Sequence, residues 1–464
     1  MSNKYTYANP YLSLWQSAAE DVQRAHAAGP TRLKMMTAPA AAPAPAAPTD
    51  NLMDPVDTLG VPLTAGQSDA VEQMFAPPPA GAHLDLAAVG EAVEDCAKVA
   101  AEFLWDEIKG DEQQADVKAG ELKDSECDPG WGECLTAYLA YKVLAGNPVY
   151  RPGQNPVFPL DANTRLAIIG DWGTGGDVAT NLLRQVKNFS PDVLLHLGDV
   201  YYAGTQFEQQ NNFLDICRGV LGNIPLYSMC GNHDMYSGGS GYYWLVDQLG
   251  QQASYFCLQN ANWQFLAMDT GHNDNDPLTV ATNMTSLVMD GTPNDGAWHE
   301  ENWLLDKING GITGGKKTVL LSHHQLFSPF GPVGSVNGQA YAYNPNLRAT
   351  FQAVMAQIAW WFWGHEHTLA VFDPYMNLQR GRCVGASAVP VFTDQQSYSN
   401  AAGLQTYGGA ALPTWNANGQ LGNNGQSYNN CFAIMTLTGA SANVDYYQVP
   451  LLGIATRLPV SDQM

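Results

Sequence analysis

The sequence predicts an α/β fold in which β-sheets are covered by helices on their outer faces. Five short apolar runs, each ending in a polar cluster, indicate strands: RLAIIGD, DVLLHLGD, IPLYSMCGNHD, KTVLLSHH and AWWFWGHEH. The runs are continuously apolar rather than alternating, which is typical of strands buried on both faces. A helical pattern from Asp177 to Val186 lies between the first two, as expected when strands and helices form layers.

The chain divides into four segments by composition. Residues 1–36 are an N-terminal segment compatible with a short helix, and residues 37–85 are a Pro/Ala-rich linker. Residues 86–150 are predicted to be a helical extension, because apolar residues recur at helical spacing from Leu86 to Ile108. Residues 151–464 hold the strand-like runs and form the main domain, closed by strands after residue 430.

The charge balance limits the partners of this protein. Its 464 residues include 21 Lys+Arg and 44 Asp+Glu, a formal net charge of −23. Such a chain repels polyanions, so we expect no nucleic-acid polymer as a partner.

We find no signal peptide and no transmembrane segment, which predicts a cytoplasmic location by default and leaves non-classical export open. Whether Cys127 and Cys134 pair is also left open.

Side chains that can bind metal ions stand at the ends of all five predicted strands. Because the carboxyl ends of such strands converge in one crevice, we expect these side chains to meet. Carboxylate, imidazole, amide and phenol groups together suit hard to borderline metal ions. A single carboxylate shared by two ions is the economical arrangement, and cations would offset the cost of burying Asp199. The candidates are Asp171, Asp199, Tyr202, Asn232, His233, His323, His324, His365 and His367.

The ordered series GD, GDxxY, GNH, H and GHxH resembles the calcineurin-like metallophosphoesterases, and within them the purple acid phosphatases. The resemblance covers about residues 160–390. Most of that superfamily has a histidine where this chain has Gly173, whereas the purple acid phosphatases use a tyrosine three residues after the shared aspartate, which is Tyr202 here. The resemblance implies a β-sandwich flanked by helices in αββα layers, with residues 1–150 as an additional helical and linker extension.

The resemblance also implies a dinuclear metal centre. Its first ion is ferric iron and its second is ferrous iron, zinc or manganese. Carried over to this sequence, the ligands of the first ion are Asp171, Asp199, Tyr202 and His367, and those of the second are Asp199, Asn232, His323 and His365.

The activity implied is that of a metal-dependent phosphatase, in which a metal-bound hydroxide attacks a small phosphate monoester. His233 is the candidate for protonating the leaving group, and His324 is the alternative for that role or for holding the phosphate. A phosphodiesterase acting on a nucleotide or lipid headgroup is an alternative within the same chemistry. An alternative of another class is a partner-binding or scaffold protein on a phosphatase fold, and residues 1–150 are a candidate partner-docking region in either case.

Overall fold

The computed structural model describes residues 149–464 except 276–286, 288–297, 337–338, 390, 392, 394–397, 426 and 451–452. The predictions for residues 1–36, 37–85 and nearly all of 86–150, including Cys127 and Cys134, lie outside the described residues. No helix in the described ranges has both the length and the apolar character needed to cross a membrane.

In the part of the chain that the structure describes, fifteen strands form two large sheets and one small one. The strands are β1 (Val157–Pro159), β2 (Arg165–Ile169), β3 (Val193–His196), β4 (Leu226–Ser228), β5 (Phe256–Gln259), β6 (Trp263–Ala267), β7 (Lys317–Ser322), β8 (Gly334–Val336), β9 (Gln339–Tyr341), β10 (Ile358–Trp363), β11 (Leu369–Val371), β12 (Gly381–Val384), β13 (Asn430–Thr438), β14 (Ser441–Val449) and β15 (Thr456–Gln463). One sheet has the order β1-β5-β6-β7-β10-β12-β11, the second has the order β15-β14-β13-β2-β3-β4, and β8 pairs with β9.

The α-helices are α1 (Asp177–Lys187), α2 (Gln206–Glu208), α3 (Asp215–Leu221), α4 (Ser240–Leu249), α5 (Glu300–Thr313) and α6 (Pro345–Phe351). A π-helix, Gln209–Leu214, joins α2 to α3. Short 3₁₀ helices cover His233–Met235, Met355–Gln357, Tyr407–Gly409 and Ala417–Gly419.

The two large sheets pack face to face, with helices on both outer faces. The central core joins the inner faces, for example Ile168 and Leu195 of one sheet to Phe265 of the other. A second cluster packs α5 and α6 on the outside of the seven-stranded sheet, and a third packs α1 and α3 on the outside of the six-stranded sheet. The predicted αββα sandwich is therefore confirmed.

All five predicted strands form, but they belong to two different sheets. Strands β2, β3 and β4 are parallel neighbours in the six-stranded sheet, and β7 and β10 are parallel neighbours in the seven-stranded sheet. The sequence predicts that the five strand ends converge, but it does not assign the strands to sheets. The structure shows that the polar clusters meet across the sandwich, at one common end of both sheets.

The C-terminal strand β15 is attached to the sandwich through a buried ion pair. Arg382 on β12 donates to both carboxylate oxygens of Asp462, at 2.7 Å each, and is 4% exposed. The hydroxyl of Tyr446 and the indole N–H of Trp360 also donate to Asp462, at 2.6 and 3.2 Å. One carboxylate therefore ties β15 to three neighbouring strands.

We expect Asp462→Ala to lower the free energy of unfolding by about 3–5 kcal/mol, because it leaves the Arg382 guanidinium buried and unpaired. Asp445→Ala is the matched control, since its partner Arg457 has a side chain that is 54% exposed. Exposed pairs contribute about 1 kcal/mol or less. Chemical denaturation of both variants checks the difference, and equal losses would contradict it.

Candidate metal centre

The candidate residues lie just after β2, β3, β4, β7 and β10, where the chain leaves the two sheets. Asp171, Asp199 and His365 have positive φ angles of 54°, 73° and 62°. Non-glycine residues seldom adopt this left-handed conformation, and such positions concentrate at functional sites. The backbone therefore turns sharply at these three strand ends and directs the side chains toward a common point.

Glycines allow the strand ends to approach each other closely. A Cβ atom at Gly231 would collide with Oδ1 of Asp199, and one at Gly364 would lie 2.6 Å from Oδ2 of Asp171. Only glycine leaves room for the carboxylates at these two positions. The glycines of the Gly-Asn and Gly-His motifs are therefore a steric requirement of the site.

Four of the candidates form what we call the histidine cluster: Asn232, His323, His365 and Asp199. Oδ1 of Asn232 lies 3.0 Å from Nε2 of His323 and 3.0 Å from Nδ1 of His365. The two ring nitrogens are 3.2 Å apart. Oδ2 of Asp199 lies 3.4 Å from Nε2 of His323. All four members are residues that the sequence analysis assigned to the second ion.

The tyrosine cluster consists of Asp171, Asp199, Tyr201 and His367. The Tyr201 hydroxyl lies 3.3 Å from Oδ1 of Asp171, 3.3 Å from Oδ2 of Asp199 and 3.2 Å from Nε2 of His367. Nε2 of His367 lies 3.3 Å from Oδ1 of Asp171. Oδ2 of Asp199 is thus the atom that the two clusters share.

The structure places a different tyrosine hydroxyl in this cluster from the one that the sequence analysis chose. Tyr202, the residue three positions after Asp199, contributes backbone groups here: its N–H donates to Glu208 and its carbonyl accepts from Nδ1 of His233. The phenol between Asp171 and His367 is that of Tyr201. Which of the two adjacent tyrosines directs its hydroxyl into the cluster depends on the conformation of the loop after Asp199. The spacing of the motif does not decide it.

Hydrogen bonds outside the clusters orient the ligand atoms. The carbonyl of Leu197 accepts from Nδ1 of His323 at 2.9 Å, so the proton is on Nδ1 and the lone pair of Nε2 faces the cluster. The amide nitrogen of Asn232 donates to the hydroxyl of Tyr236 at 2.6 Å, which turns Oδ1 of Asn232 inward. Outer partners of this kind commonly fix the orientation of metal ligands.

These donor atoms fit metal ions. An amide oxygen and an unprotonated imidazole nitrogen are both acceptors, and two acceptors facing each other at 3.0 Å need a cation between them. Ligands at right angles around one ion, each about 2.1 Å from it, lie about 3.0 Å apart. The separations within the two clusters run from this value to 3.4 Å.

Burial controls the protonation of the clusters. The pKa of Asp199 is raised well above its usual range, mainly by burial and next by the negative charges of Asp171 and Asp234. The pKa values of His323 and His365 are lowered, mainly by burial and next by the neighbouring His324. Both imidazoles are therefore neutral, which is the form that binds metal ions. A cation would relieve the crowding of negative charge at Asp199.

Two carboxylates that the sequence analysis did not assign to the site, the buried Asp234 and the half-buried Glu208, stabilise its loops. Asp234 accepts from the backbone N–H groups of Asp199 and Gly231 at 3.0 and 2.8 Å, and from the Gln209 side chain at 2.7 Å. Glu208 accepts from the backbone of Tyr202 and Ala203. Thr205 and Glu208 form a capping box at α2, a sequence signal (T-x-x-E) that can be recognised in advance.

The two predicted catalytic histidines have different surroundings. His233 donates from Nδ1 to the carbonyl of Tyr202 at 2.7 Å, so its Nε2 is turned toward Asp199, 3.9 Å from Oδ2. Burial lowers the pKa of His233 to about 3. His324 is fully buried, and both of its ring nitrogens contact side chains outside the clusters. Although His323, His324 and His365 offer ligand atoms within 4.8 Å of one another, these contacts leave His324 without a ring nitrogen for an ion.

Comparison with known protein families finds a match for the central part of the chain. Residues 164–369 match the family model of the calcineurin-like phosphoesterases. This part of the chain is therefore similar to the calcineurin-like phosphoesterases, as the motif series predicted. No curated protein matches the sequence.

Several solved structures resemble the chain. They include a purple acid phosphatase from yellow lupin (Lupinus luteus) seeds, with 14% identity, a TM-score of 0.41 and coverage of 68% of this chain and 54% of that chain. A dimetal phosphatase from Danio rerio has 12% identity, a TM-score of 0.39 and coverage of 66% and 99%. PhoD has 10% identity, a TM-score of 0.44 and coverage of 68% and 70%. This chain thus spans about half of the lupin enzyme.

Proposed function

We propose that this protein is a purple acid phosphatase-like hydrolase that uses two metal ions to cleave small phosphate monoesters. The observation that carries the proposal is the position of Oδ2 of Asp199. It lies 3.3 Å from the Tyr201 hydroxyl and 3.4 Å from Nε2 of His323, so that one carboxylate oxygen belongs to both clusters. Two ions sharing a carboxylate account for this arrangement better than a single ion does.

The proposed ligands follow the two clusters. The tyrosine cluster would hold ferric iron, because a trivalent ion favours ionisation of a phenol whose unperturbed pKa is about 10. The histidine cluster would hold ferrous iron, zinc or manganese. When bound, the two ions supply the positive charge that attracts and polarises the phosphate and activates water. That charge is needed in a chain whose formal net charge is −23.

His233 is the side chain proposed to donate a proton to the leaving oxygen. Its Nδ1 proton is committed to the Tyr202 carbonyl, so the ring is fixed with Nε2 directed at the site. A phosphate dianion close to Nε2 would favour the charged imidazolium, since an opposite charge raises the pKa of a histidine. This orientation supports the proposed role of His233 as the proton donor.

We expect His233→Asn to lower kcat/KM for an alkyl phosphate by about 10²–10⁴-fold, the usual contribution of general acid catalysis. A nitrophenyl phosphate should lose much less, because its leaving group needs no proton. Steady-state kinetics on both esters, with the metal content of the variant measured alongside, checks this. An equal loss on both substrates, or none, would contradict the role as proton donor.

Elemental analysis and assays with two related esters test the proposed function. We expect about two metal ions per chain, iron among them, and faster turnover of an aryl phosphate than of its bis-aryl diester. Faster turnover of the diester would indicate a phosphodiesterase. A protein that holds no metal and cleaves neither ester would exclude the phosphatase and favour a scaffold role.

A further inference from the structure

We infer that Thr270, Asp274 and His324 form a clamp that sets the geometry of the histidine cluster, and that His324 is a positioning residue rather than a proton donor. The inference rests on the proposed function, since it concerns the second ion of that site. None of these three residues is among the proposed ligands of either ion.

The ring of His324 is held on both sides by residues of the loop that follows β6. The Thr270 hydroxyl lies 3.0 Å from Nδ1 of His324 and also accepts the His324 backbone N–H at 3.1 Å. Oδ2 of Asp274 lies 3.1 Å from Nε2. The only arrangement that uses all three contacts with a neutral ring has the Thr270 hydroxyl donating to Nδ1 and Nε2–H donating to Asp274.

The clamped ring contacts both histidines of the histidine cluster. The centroid of the His324 ring is 4.4 Å from that of His365, and 4.9 Å from that of His323 with the rings nearly perpendicular. His323 follows β7 and His365 follows β10, so the two ligands come from different strands. His324 fills the space against both, and a rotation of its ring would displace either ligand.

The clamp is buried, which makes its hydrogen bonds costly to break. His324 and Thr270 are fully buried and Asp274 is 7% exposed. A group that loses its partner in such a place cannot regain one from water. The hydrogen bonds of the ring therefore depend on these two side chains, and the loop after β6 becomes a determinant of the second metal site.

The test is a chelator titration of the full-length, metal-loaded protein, followed by elemental analysis of the ions retained. Thr270→Val and Asp274→Ala each remove one contact of His324. We expect both to release one of the two ions at chelator concentrations about 10–100-fold lower than the wild type, because the freed His324 ring no longer holds His323 and His365 in place and lost ligand positioning costs affinity on this scale. The conservative variants Thr270→Ser and Asp274→Asn keep an oxygen at each position and should retain the ion as the wild type does.

Thr164→Val is the matched control, because this buried threonine donates its hydroxyl to the Asp161 carbonyl. It should leave metal retention unchanged. If Thr270→Val and Asp274→Ala hold both ions as tightly as the wild type, the clamp is overturned. If they release both ions together with a large fall in melting temperature, the effect is general destabilisation and the clamp is also overturned. A wild type that binds no ions overturns the proposed function itself.

Discussion

Asp199→Asn is expected to abolish the dinuclear centre. The amide is nearly isosteric but carries no charge, so the oxygen shared by both clusters becomes a weak ligand. Losing metal-ion stabilisation of several kcal/mol corresponds to a fall in turnover of about 10³-fold or more. Elemental analysis should find fewer than two ions per chain, and the rate on an aryl phosphate should fall in parallel.

Asp192→Asn is the control for this variant. Asp192 precedes β3, whereas Asp199 follows it, so the same substitution is made at opposite ends of one strand. Asp192 is exposed and accepts the backbone N–H of Arg165, outside both clusters. This variant should keep two ions and full activity. An Asp199→Asn protein that did the same would remove the basis for a shared carboxylate.

Tyr201→Phe is expected to abolish the visible absorption of the iron-loaded protein, whereas Tyr202→Phe should retain it. A phenolate oxygen bound to ferric iron produces such a band by charge transfer, and the structure places the Tyr201 hydroxyl between Asp171, Asp199 and His367. The two variants differ by one position and remove the same group. Absorption spectra at matched iron content compare them independently of turnover.

The reverse result would assign the phenol to Tyr202, as the spacing of the motif predicts, and would contradict the loop conformation described here. Loss of the band in both variants would show that the loop as a whole, rather than one hydroxyl, is required. A colourless wild-type protein holding only zinc or manganese would contradict the ferric assignment altogether.

Much of the fold and of the site was predictable because the strands and the residues that follow them are encoded by short, continuous stretches of sequence. A continuous apolar run predicts a buried strand wherever it occurs, and β2, β3, β7 and β10 formed where such runs were found. The polar residue that ends each run is equally visible. Six of the seven predicted ligands meet in the two clusters, since the ends of parallel strands bring them there with little dependence on the loops.

The residues that orient the ligands were less accessible to sequence reasoning. Asp234 is the last residue of the Gly-Asn-His-Asp motif, but its carboxylate binds the backbone N–H groups of Asp199 and Gly231 and lies outside both clusters. Thr270 and Asp274 stand in a loop without a recognisable motif. Their contacts with His324 join positions about 50 residues apart, and no local pattern encodes such a pairing.

The amino-acid sequence by itself determined the layered α/β class, the chemistry of the donor atoms and the order in which they follow the strands. These properties depend on side-chain type and short-range periodicity. Only the tertiary structure decided that the strands divide between two sheets, that the hydroxyl of Tyr201 reaches the carboxylates, and that His324 is enclosed. Each of these depends on the direction in which a side chain leaves a tightly turned loop, which is set by packing against residues distant in the chain.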